Sequence, residues 1–364
     1  MKATFFNRFM LLLAAVFISG CATAPPQTTK RFVWPLPPAV PRIEWIKSYY
    51  GEDDFPKSGF GKFVETIVGK PKTLKFEKII DVASNGKGVI YVADIGNGGI
   101  LVVDTVNEKV DFWVKSSDPD AGMGITPFYL ALDDNDNIYA AGIGKKEINI
   151  LDPAGKLIRR IDFTDKVESP GGLAVDSKGG KIYLVDNAGS KVAVFDLTGA
   201  HLFTFGAFGE ADGEFNRPTE ITRNSLGEVI VVDTFNARIQ IFDAAGKFLR
   251  KFGTRGDGSA SFYTIKGVAV DSDDNIYVTD SKTNQIKIFN TKGDYLLTIG
   301  KAYSVGITRK EAPGGFLVPM GIYIDKNDSI FVADSANYRF QQLKYLKESE
   351  TGSVVDGGDK KQER

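Results

Sequence analysis

The feature that most constrains this chain is a repeat. Six strand-like runs recur along it, and five of them close on an aspartate: IYVAD at Asp94, IYLVD at Asp186, VIVVD at Asp233, IYVTD at Asp280 and IFVAD at Asp334. IYAAG, ending at Gly142, fills the gap between the first two, and the spacings are 48, 44, 47, 47 and 54 residues. Each unit has the same internal order. A short apolar strand such as GLAVD (172–176) or GVAVD (267–271) comes first, then a polar turn, then the run that closes on Asp. A third strand such as RIQIFD (238–243) follows, and a Gly turn leads to a fourth, such as KFLRKFG (247–253) or HLFTFG (201–206). The 39 Gly, 26 Phe and 13 Tyr suit many short strands joined by tight turns.

Four strands in roughly 45 residues is the pattern of a propeller blade. A blade cannot bury both of its faces alone, and stacking around a ring buries them. The expected fold is all-β: a six-bladed β-propeller with four antiparallel strands per blade. The sixth unit has strands at 321–325, 329–334 and 339–345 and no fourth. Residues 42–51, RIEWIKSYYG, have the shape of an orphan fourth strand. The ring is therefore expected to be closed by this N-terminal strand, which leaves no open sheet edge. Asp233, Asn236, Arg238 and Ile239 spell D-x-x-N-x-R-I, with Pro218 before the first strand and Gly253 after the fourth, and this resembles the NHL repeat. Asp334, Asn337 and Arg339 resemble it again, while Thr283, Gln285 and Gly142 depart from it. The resemblance covers about residues 42–347 and implies a fold; NHL propellers include both enzymes and binding modules.

Residues 1–20 read as an export signal. Lys2 and Arg8 precede an apolar run from Phe9 to Ile18 that is short for a membrane span. Ile18-Ser19-Gly20-Cys21 resembles the lipobox of bacterial lipoproteins and contains the only cysteine of the chain. The resemblance implies cleavage before Cys21 and acylation of it, which anchors the protein in a membrane. Ala22 next to it resembles the outer-membrane sorting pattern. Residues 21–41 are expected to be a Pro-rich tether, 42–347 the propeller and 348–364 a disordered polar tail. Phe60, Phe63, Val64, Ile67 and Val68 sit at near-helical spacing, which predicts a short helix capping the ring. Removing Lys2 and Arg8 with the signal takes the net charge from −1 to −3, so the footprint of a nucleic-acid binder is missing.

Propellers bind ligands at a channel mouth. On a strand, side chains alternate, so Leu173 and Val175 are expected to pack while Ala174 faces the channel. The matching channel positions are Asp81, Ala131, Thr222, Ala269 and Tyr323, with Phe128, Tyr129, Thr219, Glu220, Lys266 and Met320 just above them. Asp81, Phe128, Tyr129, Glu220, Thr222, Lys266, Met320 and Tyr323 form the candidate site for a ligand or partner. The aspartates that recur once per blade are expected to accept turn hydrogen bonds, since a repeated residue does the same job in each blade. DDNDN (133–137) and DSDDN (271–275) mimic the start of a calcium loop but lack its Gly and distal Glu, and they fall where a hairpin turns. His201, the only histidine, falls on an outer strand. The NHL-type amidating lyases have His-rich zinc sites and the streptogramin-type lyases a catalytic His in the mouth, and one rim histidine matches neither. The expected function is a lipid-anchored, extracytoplasmic binding or scaffold protein of the cell envelope, outer membrane by its sorting residue, with a protein, peptide or glycan partner. No nucleic acid, catalytic residue, metal or cofactor is expected. The alternative is a calcium-dependent propeller hydrolase or lactonase, which needs Asp81 and Glu220 to converge with other oxygen ligands.

Overall fold

The computed structural model describes residues 31–56, 72–115, 125–308 and 310–347. The export signal, Cys21, the helical spacing at 60–68 and the polar tail lie outside the described residues, as does the tether before residue 31.

Six sheets form the ring. Their inner strands are Ile79–Ser84, Ile125–Leu132, Pro170–Asp176, Pro218–Arg223, Ile265–Val270 and Pro319–Ile324. Three further strands pair outward in sequence order in blades 1 to 5, all antiparallel. In blade 6 the outward order is Pro319–Ile324, Ser329–Asp334, Arg339–Tyr345 and then Ile43–Tyr49. Ile43 pairs Tyr345 and Tyr49 pairs Phe340, so the N-terminal strand closes the ring as expected. Its register also marks it as a true fourth strand. The fourth strands of blades 2 to 5 each carry a bulge after their start, and the skipped residue is apolar: Ile158, Leu202, Leu249 and Leu296. Ile46 is skipped in the same way in the N-terminal strand. Such bulges twist an outer edge away from further pairing. Phe32–Trp34, which composition assigns to the tether, adds a fifth strand outside Ile43–Tyr49. Phe32 meets Trp45 edge to face at 5.9 Å, and that packing holds three residues a Pro count would leave loose.

The core consists of six apolar layers between successive blades. Leu173 joins blade 2 residues such as Ala131 and Ile150, whereas Ala174 joins blade 4 residues such as Ile221 and Val231. Ala174 lines the channel as expected, but so do Leu173 and Val175, which were expected only to pack. The two faces of each inner strand pack on the two neighbouring blades, and the strand presents its edge to the channel.

The recurring aspartates are structural, as expected. Asp94 accepts the backbone N–H groups of Glu77, Lys78, Gly96 and Asn97, tying the incoming loop to the next turn. Asp186 and Asp280 do the same from their own loops. In blades 4 and 6 an arginine joins: Arg238 on Asp233 and Arg339 on Asp334, each at 2.7 Å. Arg339 is fully buried and also donates to Ser48 Oγ, Tyr50 OH and Gly315 O, so it locks the N-terminal strand to the sixth blade. Blade 2 has Gly142 in place of the aspartate. There the inner hairpin is longer, with Ile125 paired to Gly144 and Thr126 to Ile143, and backbone pairing replaces the carboxylate. The calcium-like stretches are turns: Asp133 accepts from Asn135 and Asn137, and Asp271 from Asp273, Asn275 and Tyr277.

Candidate functional site

Each inner strand starts with a bulge. Ile79 pairs Asp94 and Asp81 pairs Ala93, with the register shifting between them. The same irregularity follows Pro127, Pro170, Pro218, Ile265 and Pro319. Aligned on these first residues, the position two further on reads Asp81, Tyr129, Gly172, Glu220, Gly267 and Gly321 around the ring. Asp81 is thus equivalent to Tyr129 and Glu220, not to Ala131 and Thr222, which lie two residues further along their strands, level with Ala83.

The three glycines make this layer possible. A Cβ on Gly172 would stand 1.6 Å from Glu220 Oε1, and one on Gly321 would stand 2.0 Å from Asp81 Oδ1. Two carboxylates therefore lie where three other blades supply only backbone and one supplies Tyr129. Asp81, 6% exposed, accepts the N–H of Leu130 at 2.9 Å and its neighbour Val82 at 2.9 Å. Among the described residues Glu220 accepts only Ile221 N–H, at 3.1 Å. Burial pushes the Asp81 carboxyl up to about 7, against the pull of those two N–H groups. Burial also holds Glu220 well above the ordinary carboxylate range, and the Asp81 charge adds to it. Tyr129 feels both carboxylates: burial first, then Glu220 and Asp81, raise its phenol.

A cavity of about 260 Å³ runs from this layer along the inner strands to Arg223 and Asn224 at the hairpin end. Asp81, Glu220, Thr222 and Tyr323 line it, between walls of Ala, Val, Leu and Ile. Arg223 is already paired with Asp176 at 2.9 Å. The structure thus brings four of the candidate residues to one cavity, with Tyr129 beside its carboxylates. Phe128, Lys266 and Met320 belong to the preceding position of the strands and do not line it. Met320 is used in stitching, its carbonyl accepting Thr279 Oγ1 at 2.6 Å. Burial lowers the Lys266 ammonium, which has no ion pair or side-chain hydrogen bond among the described residues. His201 lies on the outer strand His201–Phe205, 2.9 Å from Thr204 Oγ1 and edge-on to Phe195. Sequence reasoning named the carboxylates but missed Gly172 and Gly321, which seat them; the signal was the alignment on the strand starts.

A calcium ion takes six to eight oxygens. Two carboxylates that already accept backbone N–H groups fall short of that set, and among the described residues no three His, Cys, Asp or Glu side chains converge. No helix of the described residues is long and apolar enough to cross a membrane.

The NHL repeat family model matches residues 262–289. No curated protein matches the chain. Among solved structures, it is similar to an auxiliary nutrient binding protein from Bacteroides ovatus at 14% identity and TM-score 0.55, over 75% of this chain and 70% of that one. A gluconolactonase from Xanthomonas campestris is 13% identical with TM-score 0.56, over 83% and 98%. Virginiamycin B lyase from Staphylococcus aureus is 14% identical with TM-score 0.52, over 76% and 85%. At these identities the likeness is one of fold, and the chain is a six-bladed β-propeller that carries an NHL repeat.

Proposed function

We propose that this protein is a lipid-anchored, extracytoplasmic binding propeller of the bacterial envelope, held through Cys21 and taking a protein, peptide or glycan partner at its channel. One observation carries the reading. Three of six equivalent inner-strand positions hold large polar side chains beside an open cavity, and among the described residues no Ser, Thr or Cys paired with a His base stands next to them. The lone histidine is on the rim, which speaks against lyase chemistry of the kind that needs a histidine in the mouth. Fold relatives with a nutrient-binding description, such as the protein from Bacteroides ovatus, support binding as a use of this architecture. The test is in-cell crosslinking of the tagged full-length protein with mass spectrometry of what it captures, beside membrane fractionation of Cys21→Ser. A dominant envelope partner, lost when Tyr129, Glu220 and Lys266 are replaced together, is the expected result, with Cys21→Ser leaving the membrane fraction. Capture no greater than background, together with calcium-dependent lactone hydrolysis, would overturn it in favour of the hydrolase.

A further inference from the structure

The charge around the cavity is one-sided. Asp81 and Glu220 are its floor, and the one cation among the described residues that line it, Arg223, is paired with Asp176 through Nη2 while its Nε has no partner. No Lys or Arg raises or lowers either floor carboxylate; the neighbouring charge that Glu220 feels is Asp81. The charges felt by Tyr323 are likewise all carboxylates: Asp325, Asp136 and Asp81. Low-dielectric walls concentrate such a field and draw cations in.

A second observation is independent of the acids. Neither Tyr129 nor Tyr323 makes a side-chain hydrogen bond among the described residues, and neither hydroxyl is among the fully buried unpaired atoms, so both reach open space. Tyr323 lines the cavity with its ring packed against the apolar layers on both sides of blade 1, which leaves its hydroxyl as the group for an occupant. Glu220 Oε2 also has no donor among the described residues, because Ile221 N–H takes Oε1. The site therefore offers acceptors and negative charge to something that brings donors and positive charge. An ammonium group has three donors and a compact charge. From Glu220 to Arg223 the cavity runs about 10 Å along the strand, which limits the occupant to a short chain.

We propose that the central cavity binds a compact organic ammonium group, its N–H donors directed at Asp81 and Glu220 and its stem lying along the apolar walls. This rests on the binding function above and names the chemistry recognised. The group belongs either to a free amine or to a lysine side chain of a partner.

The test is calorimetric titration and thermal shift of the full-length protein at pH 8 with four probes. Butane-1,4-diamine and Nα-acetyl-lysine amide carry the ammonium, butane-1,4-diol is the neutral shape match, and calcium chloride is the inorganic cation. Binding of either ammonium probe, with no response to the diol, is the expected result, and which of the two binds better tells the free amine from the lysine. Asp81→Asn and Glu220→Gln should each weaken it at least about tenfold, the scale of one lost charge-assisted hydrogen bond. Both substitutions remove a buried charge and keep the shape, so folding is retained, and their unfolding curves verify it. Equal binding of diol and diamine, or stabilisation by calcium alone, overturns the ammonium assignment while leaving a binding channel. Silence from all four probes overturns it too, and the crosslinking above then decides the binding function separately.

Discussion

Asp81→Asn should make the protein more stable at alkaline pH and slightly less stable in acid. In the folded chain burial raises the Asp81 carboxyl to about 7, while an unfolded aspartate sits at about 3.9. Between these values the folded state binds a proton that the unfolded state has released. Stability from this group is therefore complete below about pH 4 and is lost as pH rises to about 7. Three units at about 1.4 kcal/mol each give a loss of about 4 kcal/mol, an upper figure because Asp81 and Glu220 titrate as a pair. The asparagine carries no charge and escapes that loss. It has one acceptor oxygen where Asp81 has two, each taking a backbone N–H, from Val82 and Leu130. Losing one such bond costs about 1 kcal/mol. The stability difference, variant minus wild type, should thus run from about −1 kcal/mol at low pH to about +3 kcal/mol at pH 8, crossing zero near pH 5. Urea unfolding at half-unit pH steps measures it. In a Glu220→Gln background the pH-dependent part should shrink but persist, because burial is the larger cause. A difference that stays flat between pH 4 and pH 8 would refute the buried-carboxylate reasoning.

Two further substitutions probe the ring. Arg339→Met leaves Asp334 buried without its cation and frees Ser48 and Tyr50, and it should cost about 3–5 kcal/mol in urea unfolding. Limited proteolysis of that variant should cut first beside the N-terminal strand. Gly172→Ala puts a methyl group on the Glu220 carboxylate and within 2.9 Å of the Glu220 Cα; it should destabilise by about 1–3 kcal/mol as overpacking does. Gly180→Ala is the control: nothing lies within 4 Å of its Cβ, and its φ of 68° makes the cost a backbone one, readable apart from any effect on the channel.

The period, the blade count and the closure by the N-terminal strand were legible because each is written six times, and the one missing copy points to its replacement. The role of Asp94, Asp186, Asp233, Asp280 and Asp334 was legible for the same reason. The channel register was not. Asp81 was set level with Ala131 and Thr222, two residues too far on, because Ile79 lacks the proline that marks the same position in blades 2, 3, 4 and 6. Phe32–Trp34 was hidden differently: three residues among prolines have no period of their own, and only Trp45 across the edge gives them a place.

Repetition separates structural from functional residues only when each departure is followed to its consequence. Gly142 departs from the aspartate series, yet the longer hairpin from Ile125 to Gly144 supplies the missing hydrogen bonds, so the departure is repaired within its own blade. Asp81 and Glu220 depart from the glycines at their ring position, and no repair is visible. Asp94 accepts four backbone N–H groups and Glu220 accepts one. Asp334 has Arg339, whereas neither channel carboxylate has a cation. A fold that neutralises Asp334 so fully has the means to neutralise two more acids, or to keep glycine there as in three other blades. Burying charge at that layer lowers the stability of the folded protein above pH 7, and an occupant that brings the missing positive charge offsets that loss. The uncompensated departure, rather than the fold it interrupts, is the reason to look for function in the channel.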